Sequence, residues 1–403
     1  MKPMECCCLF GAYRACAGIP DAIILFHSVI GCSWGTMTYH ITNHLNNIRQ
    51  TSSVVYDEDV INGGEKALRR ALVNIEELYP SAKVIVVISG CIPNIIGDDI
   101  RGIISSLPLT KPVVVLDSPG FSGGDGVGFE NALLMLGQQM KEQRKLPHSV
   151  NLLGLSIDDF KAEADIAAIC GLFGKKVKVN TVVGCDCYDN LLQAPKAALN
   201  IVFQKGIKLA EYMKKTFNIP YVNVDYPYGI AGCTAFLRQL ELAMAIDFSA
   251  EIAGLNEGIQ PILKRTTHYL QTLYGMPAAV LGDRVHLSGL QKFLTEEIGM
   301  DIAVSAEQSA QDGNDVYNQI RKSSSVLIFG SSFEKELSEE MHIPLLRYSY
   351  PVFDKIDLSG MPYVGLQGTA SLLEDIINLV LAADYKTNGV YAPLLREGAN
   401  KYF

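Results

Sequence analysis

Charge is scarce in this sequence. Only 19% of the 403 residues are Asp, Glu, Lys or Arg, below the quarter or so of an average soluble domain. The basic side is the shorter one, with 34 Lys and Arg against 43 Asp and Glu, a net charge of −9 and a pI near 5.4. That balance argues against a nucleic-acid binder or a protein held on an anionic membrane. An uncharged apolar run long enough to cross a bilayer is also missing, since Ala22–Trp34 is too short and too interrupted. The first sixteen residues have no apolar h-region, so a secretory signal is not expected and a cytoplasmic location is. Two nucleotide and metal signatures are absent as well. No Gly-x4-Gly-Lys-Ser/Thr loop is present. Nor do cysteines occur as two close pairs, as a structural zinc site requires.

What is present is apolar and periodic. Hydrophobic residues make up 48% of the chain, enough to bury large cores and to exclude general disorder. The length suits about two or three domains. Lys83–Ser89 and Pro112–Leu116 read as buried β-branched strands. Between Gly64 and Tyr79, the residues Leu68, Ala71, Leu72, Ile75 and Leu78 recur at helical spacing and stop at Pro80. The pattern restarts with strands at 151–155, 176–180 and 221–225, with a helix expected from about Ala194 to Phe217. It restarts again with strands at 277–281, 301–305 and 325–329, and a helix over Ser288–Ile298 closed by Gly299. No Pro/Ser-rich linker intervenes. The expected architecture is α/β: three Rossmann-like domains with parallel sheets flanked by helices, at 1–148, 149–265 and 266–403.

Ten cysteines stand out against this background. In a reducing compartment they are not a disulfide framework. Cys6, Cys7 and Cys8 are consecutive, Cys32 follows the apolar run Ile23–Phe26, and Cys91 directly follows the strand Lys83–Ser89. Cys32 and Cys91 therefore sit just beyond the carboxyl ends of strands, where α/β sheets form ligand crevices. Scattered thiolates suit an iron–sulfur cluster, because the cluster itself spans the gaps. Three thiolates would leave one iron of a four-iron cluster to another ligand or a second subunit. The alternative for any single cysteine is a small buried hydrophobe.

Other segments have two readings each. Asp98-Asp99 could bind Mg²⁺ or act in catalysis, but capping of the helix that carries Ile100, Ile103 and Ile104 accounts for it. Cys185-Asp-Cys187 lies in a loop and could serve a second cluster or substrate site. Cys170 and Cys233 read mainly as packing residues. Gly120–Gly128 has the composition of a phosphate loop without its Lys, and reads as a flexible loop near the cysteines. His27 is either a hydrogen-bond donor near the cluster or a satisfied core histidine.

Together these elements resemble the nitrogenase component 1 family: the subunits of the molybdenum–iron protein, their cofactor-scaffold relatives and the dark-operative tetrapyrrole reductases. The resemblance runs through Cys7…Gly11-Ala12, His27-Ser-Val-Ile-Gly-Cys32, Asp57–Gly64, Ser89-Gly-Cys91…Ile96-Gly-Asp-Asp-Ile100 and Asp117-Ser-Pro-Gly-Phe121. It continues through Tyr226-Pro-Tyr-Gly229, Thr234–Arg238, Tyr350–Asp354 and Met361–Gly368, in family order along nearly the whole chain. The resemblance implies three Rossmann-like domains, pairing with a homologous subunit as a homodimer or heterodimer, and an iron–sulfur cluster at the subunit interface. Cys7, Cys32 and Cys91 match its ligand positions. Cys7 is preferred for its Cys-x3-Gly-Ala spacing, with Cys8 the one-residue alternative. It also implies electrons delivered by an ATP-hydrolysing [4Fe-4S] reductase that docks over the interface.

The departures shape the functional expectation. The family's catalytic subunit holds its large cofactor through a second-domain cysteine and a histidine in the closing motif. The segment compared with the first, Asn200–Lys205, has no cysteine, and Arg347–Gly368 has no histidine. No long N-terminal extension precedes Cys7. The expected function is a subunit of a nitrogenase-like two-component oxidoreductase, passing electrons through a [4Fe-4S] or larger interface cluster to a substrate or to a second metallocofactor or tetrapyrrole. The alternative is a scaffold on which a metallocofactor matures.

Overall fold

The computed structural model describes residues 6–41, 49–308 and 313–388. The β-branched runs of the first third form β1 Ala22–His27, β2 Gln50–Ser52, β3 Val84–Ser89 and β4 Val113–Asp117. All pairs are parallel, in the order β2-β1-β3-β4. β1 and β3 are buried at every residue, which is why they read as continuous apolar runs rather than alternating ones. Ile23, Leu25, Ile85 and Val87 face the helices Glu65–Leu78 and Ile100–Ser105, packing on Leu68, Leu72, Ile75, Ile100 and Ile103. Each such side chain contributes about 1.5–3 kcal/mol on burial.

Two further parallel sheets repeat this plan. β5 Ser149–Leu153, β6 Lys178–Val182, β7 Leu199–Val202 and β8 Tyr221–Asn223 lie in the order β6-β5-β7-β8. β9 Pro277–Gly282, β10 Asp301–Glu307, β11 Leu327–Gly330 and β12 Leu345–Arg347 lie in the order β10-β9-β11-β12. In each sheet the chain's direction of travel reverses between the first and third strands. The α/β class and the three parallel sheets are as the sequence leads one to expect.

The chain forms two compact units. One comprises Glu5–Asp158 and Lys178–Asn223 and holds the first two sheets; the other comprises 159–177 and the chain from Val224 onward and holds the third. In the first unit a single apolar cluster joins both sheets through three helices. Cys8–Ala17 contributes Leu9, Ala12 and Tyr13, Asp125–Gly137 contributes Phe129, Leu133 and Leu136, and Ile207–Phe217 contributes Leu209 and Met213. In the second unit, the helix Gly365–Asn388 includes a stretch, 365–383, that is long and apolar enough to cross a membrane, with mean hydropathy 1.2. It is interrupted by Glu374 and Asp375. Its Leu372, Leu373, Ile376 and Val380 are buried, and the helix packs against Ala162–Leu172, Gly229–Met244 and Ser249–Leu273.

One expected element is wrong. The helix placed over 194–217 is instead a 3-10 turn at Ala194–Lys196, then β7, then a helix that begins only at Ile207. Buried Asn200 is the reason. Asn151 Nδ2 donates to Asn200 Oδ1 at 2.7 Å and to the Ala194 carbonyl at 2.9 Å, which fixes Leu199–Val202 beside β5. Gln204 and Gly206, at φ 59° and 88°, then break the chain before the helix. Asn200–Lys205 is thus strand and turn, not a cofactor-binding helix, and the helix that follows contains no cysteine either.

Candidate functional site

Loops that leave a parallel sheet where its strand order reverses form the crevice in which α/β proteins bind ligands. In the first sheet the two strands at that point are β1 and β3. β1 ends at His27, and the next helix, Ile30–Ile41, carries Cys32 in its first turn. β3 ends at Ser89, and Cys91 opens the helix Cys91–Ile96. Cys7 caps the helix Cys8–Ala17. Its carbonyl accepts from the Phe10 and Gly11 amides at 3.0 and 3.3 Å, and its extended backbone bridges to Gly124.

Gly120 marks where the thiols meet. Its amide donates to Cys91 Sγ at 3.0 Å. A Cβ on Gly120 would lie 3.2 Å from Cys91 Sγ and 3.4 Å from Cys7 Sγ, so two sulfurs flank this Cα and a side chain here would press on both. Cys32 lies near enough to both to interact with them electrostatically. Burial pushes its thiol up, a hydrogen bond with Ser28 pulls it down, and the nearby Cys7 and Cys91 push it up again. All three are free thiols, partly buried. Two sulfurs at one gap, with a third thiol near enough to feel both, are soft donors of the kind an iron–sulfur cluster takes. Of the other consecutive cysteines, Cys8 is buried against Ser118, and burial pushes Cys6 up to about 12. Exposed apolar side chains lie within four residues of Cys32, Cys91 or Gly120 in the chain: Ile30, Trp34, Ile95 and Phe121 are 56, 65, 67 and 66% exposed.

Close helix packing positions Cys7. A Cβ on Gly11 would lie 1.7 Å from the Asp125 carbonyl oxygen, so the helices Cys8–Ala17 and Asp125–Gly137 cross backbone to backbone. Arg14, two turns along from the thiol, is buried and donates from Nε to both Asp158 oxygens at 3.0 and 3.1 Å. Its Nη1 reaches Asp125 at 3.4 Å.

His27 is a satisfied core residue. Nε2 lies 3.0 Å from Asp98 Oδ2 and Nδ1 lies 2.8 Å from Ser53 Oγ. A carboxylate only accepts, so Nε2 carries the proton and Nδ1 accepts from the serine. Asp98 Oδ1 also accepts from the Gly64 amide at 2.9 Å, tying β1, β2 and the Cys91 loop together. Asp99 caps the next helix, accepting from the Gly102 amide at 2.8 Å.

The anion-binding ends of two Rossmann-type helices are already filled. Glu130 accepts from the amides of Gly206, Ile207 and Lys208 at 2.6, 3.2 and 2.9 Å. Glu297 accepts from Ile230 and Ala231 at 2.9 and 3.0 Å. A phosphate would first have to displace a carboxylate from amides that otherwise favour it.

The remaining cysteines are placed by other contacts. Cys185 donates to the Leu155 carbonyl at 3.8 Å, and Cys187 caps the helix Tyr188–Leu191. Buried Cys233 donates to the Pro227 carbonyl at 3.1 Å, while Cys170 is partly buried. The sequence pattern does not single out Asn94, whose only local signal is its place three residues after Cys91.

Residues 7–381 match the family described as nitrogenase component 1 type oxidoreductase. The chain belongs to that family. Among relatives of nitrogenase component 1 type, the nitrogenase molybdenum–iron protein beta chain of Methanococcus maripaludis is 24% identical over 96% of each chain. The nitrogenase iron–molybdenum cofactor biosynthesis protein NifE of Clostridium pasteurianum is 29% identical over 80% of this chain and 72% of its own. A light-independent protochlorophyllide reductase subunit of Pyropia yezoensis is 21% identical over 91% of this chain and 81% of its own. The solved structure of nitrogenase Cp1 at pH 6.5 superposes with a TM-score of 0.82, at 20% identity over 96% of this chain and 94% of that one. It shares the component 1 fold.

Proposed function

We propose that this chain is one subunit of a nitrogenase-like two-component oxidoreductase, with Cys7, Cys32 and Cys91 as ligands of an iron–sulfur cluster. The convergence of Cys7 and Cys91 on Gly120, at the point where strand order reverses, carries this reading. When bound, such a cluster supplies one-electron transfer. The chain's own residues hold the sulfurs apart and in register. The Gly120 amide places a hydrogen-bond donor on the Cys91 sulfur. The exposed Ile30, Trp34, Ile95 and Phe121 support coverage by a homologous subunit, a second copy or a different one, that keeps water off the sulfurs. An ATP-hydrolysing [4Fe-4S] reductase would supply the electrons, and a cytoplasmic location belongs to the same proposal.

A second reading, a scaffold for cofactor maturation, draws on the likeness to NifE and on the missing ligands. Helix Ile207–Phe217 has no cysteine and Arg347–Gly368 no histidine. Anaerobic isolation of the chain with its homologous partner separates the two. The oxidoreductase reading expects iron and acid-labile sulfide that the reductase reduces only with ATP, and that stay on the protein. The scaffold reading expects iron to pass to an added apo-acceptor. Protein isolated free of iron and sulfide sinks both.

A further inference from the structure

Cys91 is the candidate ligand with the least helix behind it. Its helix, Cys91–Ile96, has six residues, against ten in Cys8–Ala17 and twelve in Ile30–Ile41. A helix that short is marginal unless something outside it holds it. At its far end the Gly97 and Asp98 amides both donate to the Pro93 carbonyl at 3.0 Å. At its near end the cap is Gly90, with no side chain to offer the helix amides. A Cβ on Gly90 would lie 2.6 Å from Ser28 Cβ and 3.3 Å from Leu9 Cδ1. The turn before Cys91 is therefore pressed between the segment leading to Cys32 and the helix that follows Cys7.

Asn94 holds that near end. Its Nδ2 donates to Ser89 Oγ at 2.8 Å and to the Gly90 carbonyl at 2.9 Å. A carbonyl only accepts, so the nitrogen of the amide faces the strand, and both of its hydrogens are used. Ser89 is the last residue of β3 and is buried. Its carbonyl accepts from the Ser118 amide at 3.1 Å. Two residues further on, the Gly120 amide donates to Cys91 Sγ. The contacts close a ring: Cys91 to Asn94 through the helix, Asn94 to Ser89, Ser89 to the Gly120 loop, and Gly120 back to the sulfur.

We propose that Asn94 is a positioning residue for Cys91, holding its sulfur beside Gly120 through the bond to Ser89. The proposal rests on the reading of Cys91 as a cluster ligand and adds the residue that aims it. Asn94 is exposed, so packing does not demand an asparagine there; the two acceptors do. Aspartate keeps the shape, but its carboxylate would set an oxygen against the Gly90 carbonyl. Alanine removes the tie outright. In either variant the six-residue helix can turn on its Gly90 cap, and the sulfur moves with it. Outer partners that orient metal ligands change metal affinity about 10–100-fold when they are lost.

The full chain is isolated anaerobically with its homologous partner, as native protein, Asn94→Asp, Asn94→Ala, Ser89→Ala, the double variant Ser89→Ala, Asn94→Ala, and Cys91→Ala. At limiting iron, Asn94→Asp and Asn94→Ala should bind iron at least ~10-fold more weakly. Adding Ser89→Ala to Asn94→Ala should weaken binding little further, because both remove one contact. At saturating iron the cluster's midpoint potential should fall in both Asn94 variants, since the Gly120 donor no longer meets a sulfur held in place. Melting of the metal-free chains should stay within about 4 °C of the native one. Native affinity and potential in both Asn94 variants overturn the proposal, as do fully additive losses in the double variant. Iron loss with a much larger fall in melting temperature also overturns it, as a fold defect. Cys91→Ala keeps the two readings apart. If it retains full iron, the ligand assignment fails and takes this proposal with it; if it loses iron and the Asn94 variants do not, only the positioning role fails.

Discussion

The Gly120 amide donates to Cys91 Sγ at 3.0 Å from a loop 29 residues further along the chain. The Cys91 and Cys7 sulfurs flank the Cα of the same residue. Gly120→Ala would put a methyl group 3.2 and 3.4 Å from those atoms, closer than ordinary contact. The Cys91 sulfur must then give by a few tenths of an ångström. Iron content per chain should fall ~10-fold or more at limiting iron, while the melting temperature of the metal-free chain changes little. An alanine variant with full iron content would show that the gap is not where metal binds.

Substitution of the cysteines one at a time sorts them. Cys7→Ala, Cys32→Ala and Cys91→Ala should each lose most of the iron. Cys8→Ala and Cys16→Ala should keep it, because Cys8 packs against Ser118 and Cys16 lies in the core, where burial pushes its thiol up to about 12. Removing either buried sulfur should instead cost on the order of 1 kcal/mol of stability. Iron loss confined to Cys8→Ala would transfer the ligand role to that residue.

These contrasts mirror what the residues disclose before folding. β1 and β3 announce themselves by unbroken β-branched runs, and Asp99 by its place before Ile100, because strand burial and helix capping are local. Cys32 and Cys91 are legible for the same reason: each stands in the turn that follows an apolar run. β7 was hidden because its strand depends on Asn151, 49 residues away, bonding Asn200. The role of Gly120 required knowing which sulfurs its loop would cross.

Arg14 tests how firmly the Cys7 helix is anchored. Its side chain and that of Asp158 are 2 and 0% exposed, so removing one partner takes away the ion pair between two buried charges. Arg14→Met should cost about 3–5 kcal/mol in denaturant unfolding. The double variant Arg14→Met, Asp158→Asn should recover much of that loss. Equal destabilisation in the single and double variants would mean that packing, not charge, holds the helix.

His27 predicts the acid side of the stability profile. Burial pulls its pKa below the ordinary 6.5, against the upward pull of Asp98. The unfolded chain therefore takes up the proton more readily than the folded one. Stability from this residue is fully present above pH 6.5, and it declines as the pH falls from there towards the lower folded pKa. In His27→Gln the denaturation midpoint should depend less on pH between about 6.5 and 5. A wild-type midpoint flat over that range would contradict the assignment.

Glu130 gives the sharpest test of why this Rossmann-like unit should not use its helix ends for phosphates. Three successive amides at the start of Ile207–Phe217 are satisfied by one carboxylate from another helix. Glu130→Ala uncovers them at the positive end of an eleven-residue helix. The variant should lose about 1–2 kcal/mol, as for loss of a capping side chain, and should gain an anion site. Sulfate, compared with chloride at equal ionic strength, should raise the melting temperature of Glu130→Ala by more than its general stabilising effect raises that of the native chain. If sulfate stabilises both to the same degree, the carboxylate does not block these amides.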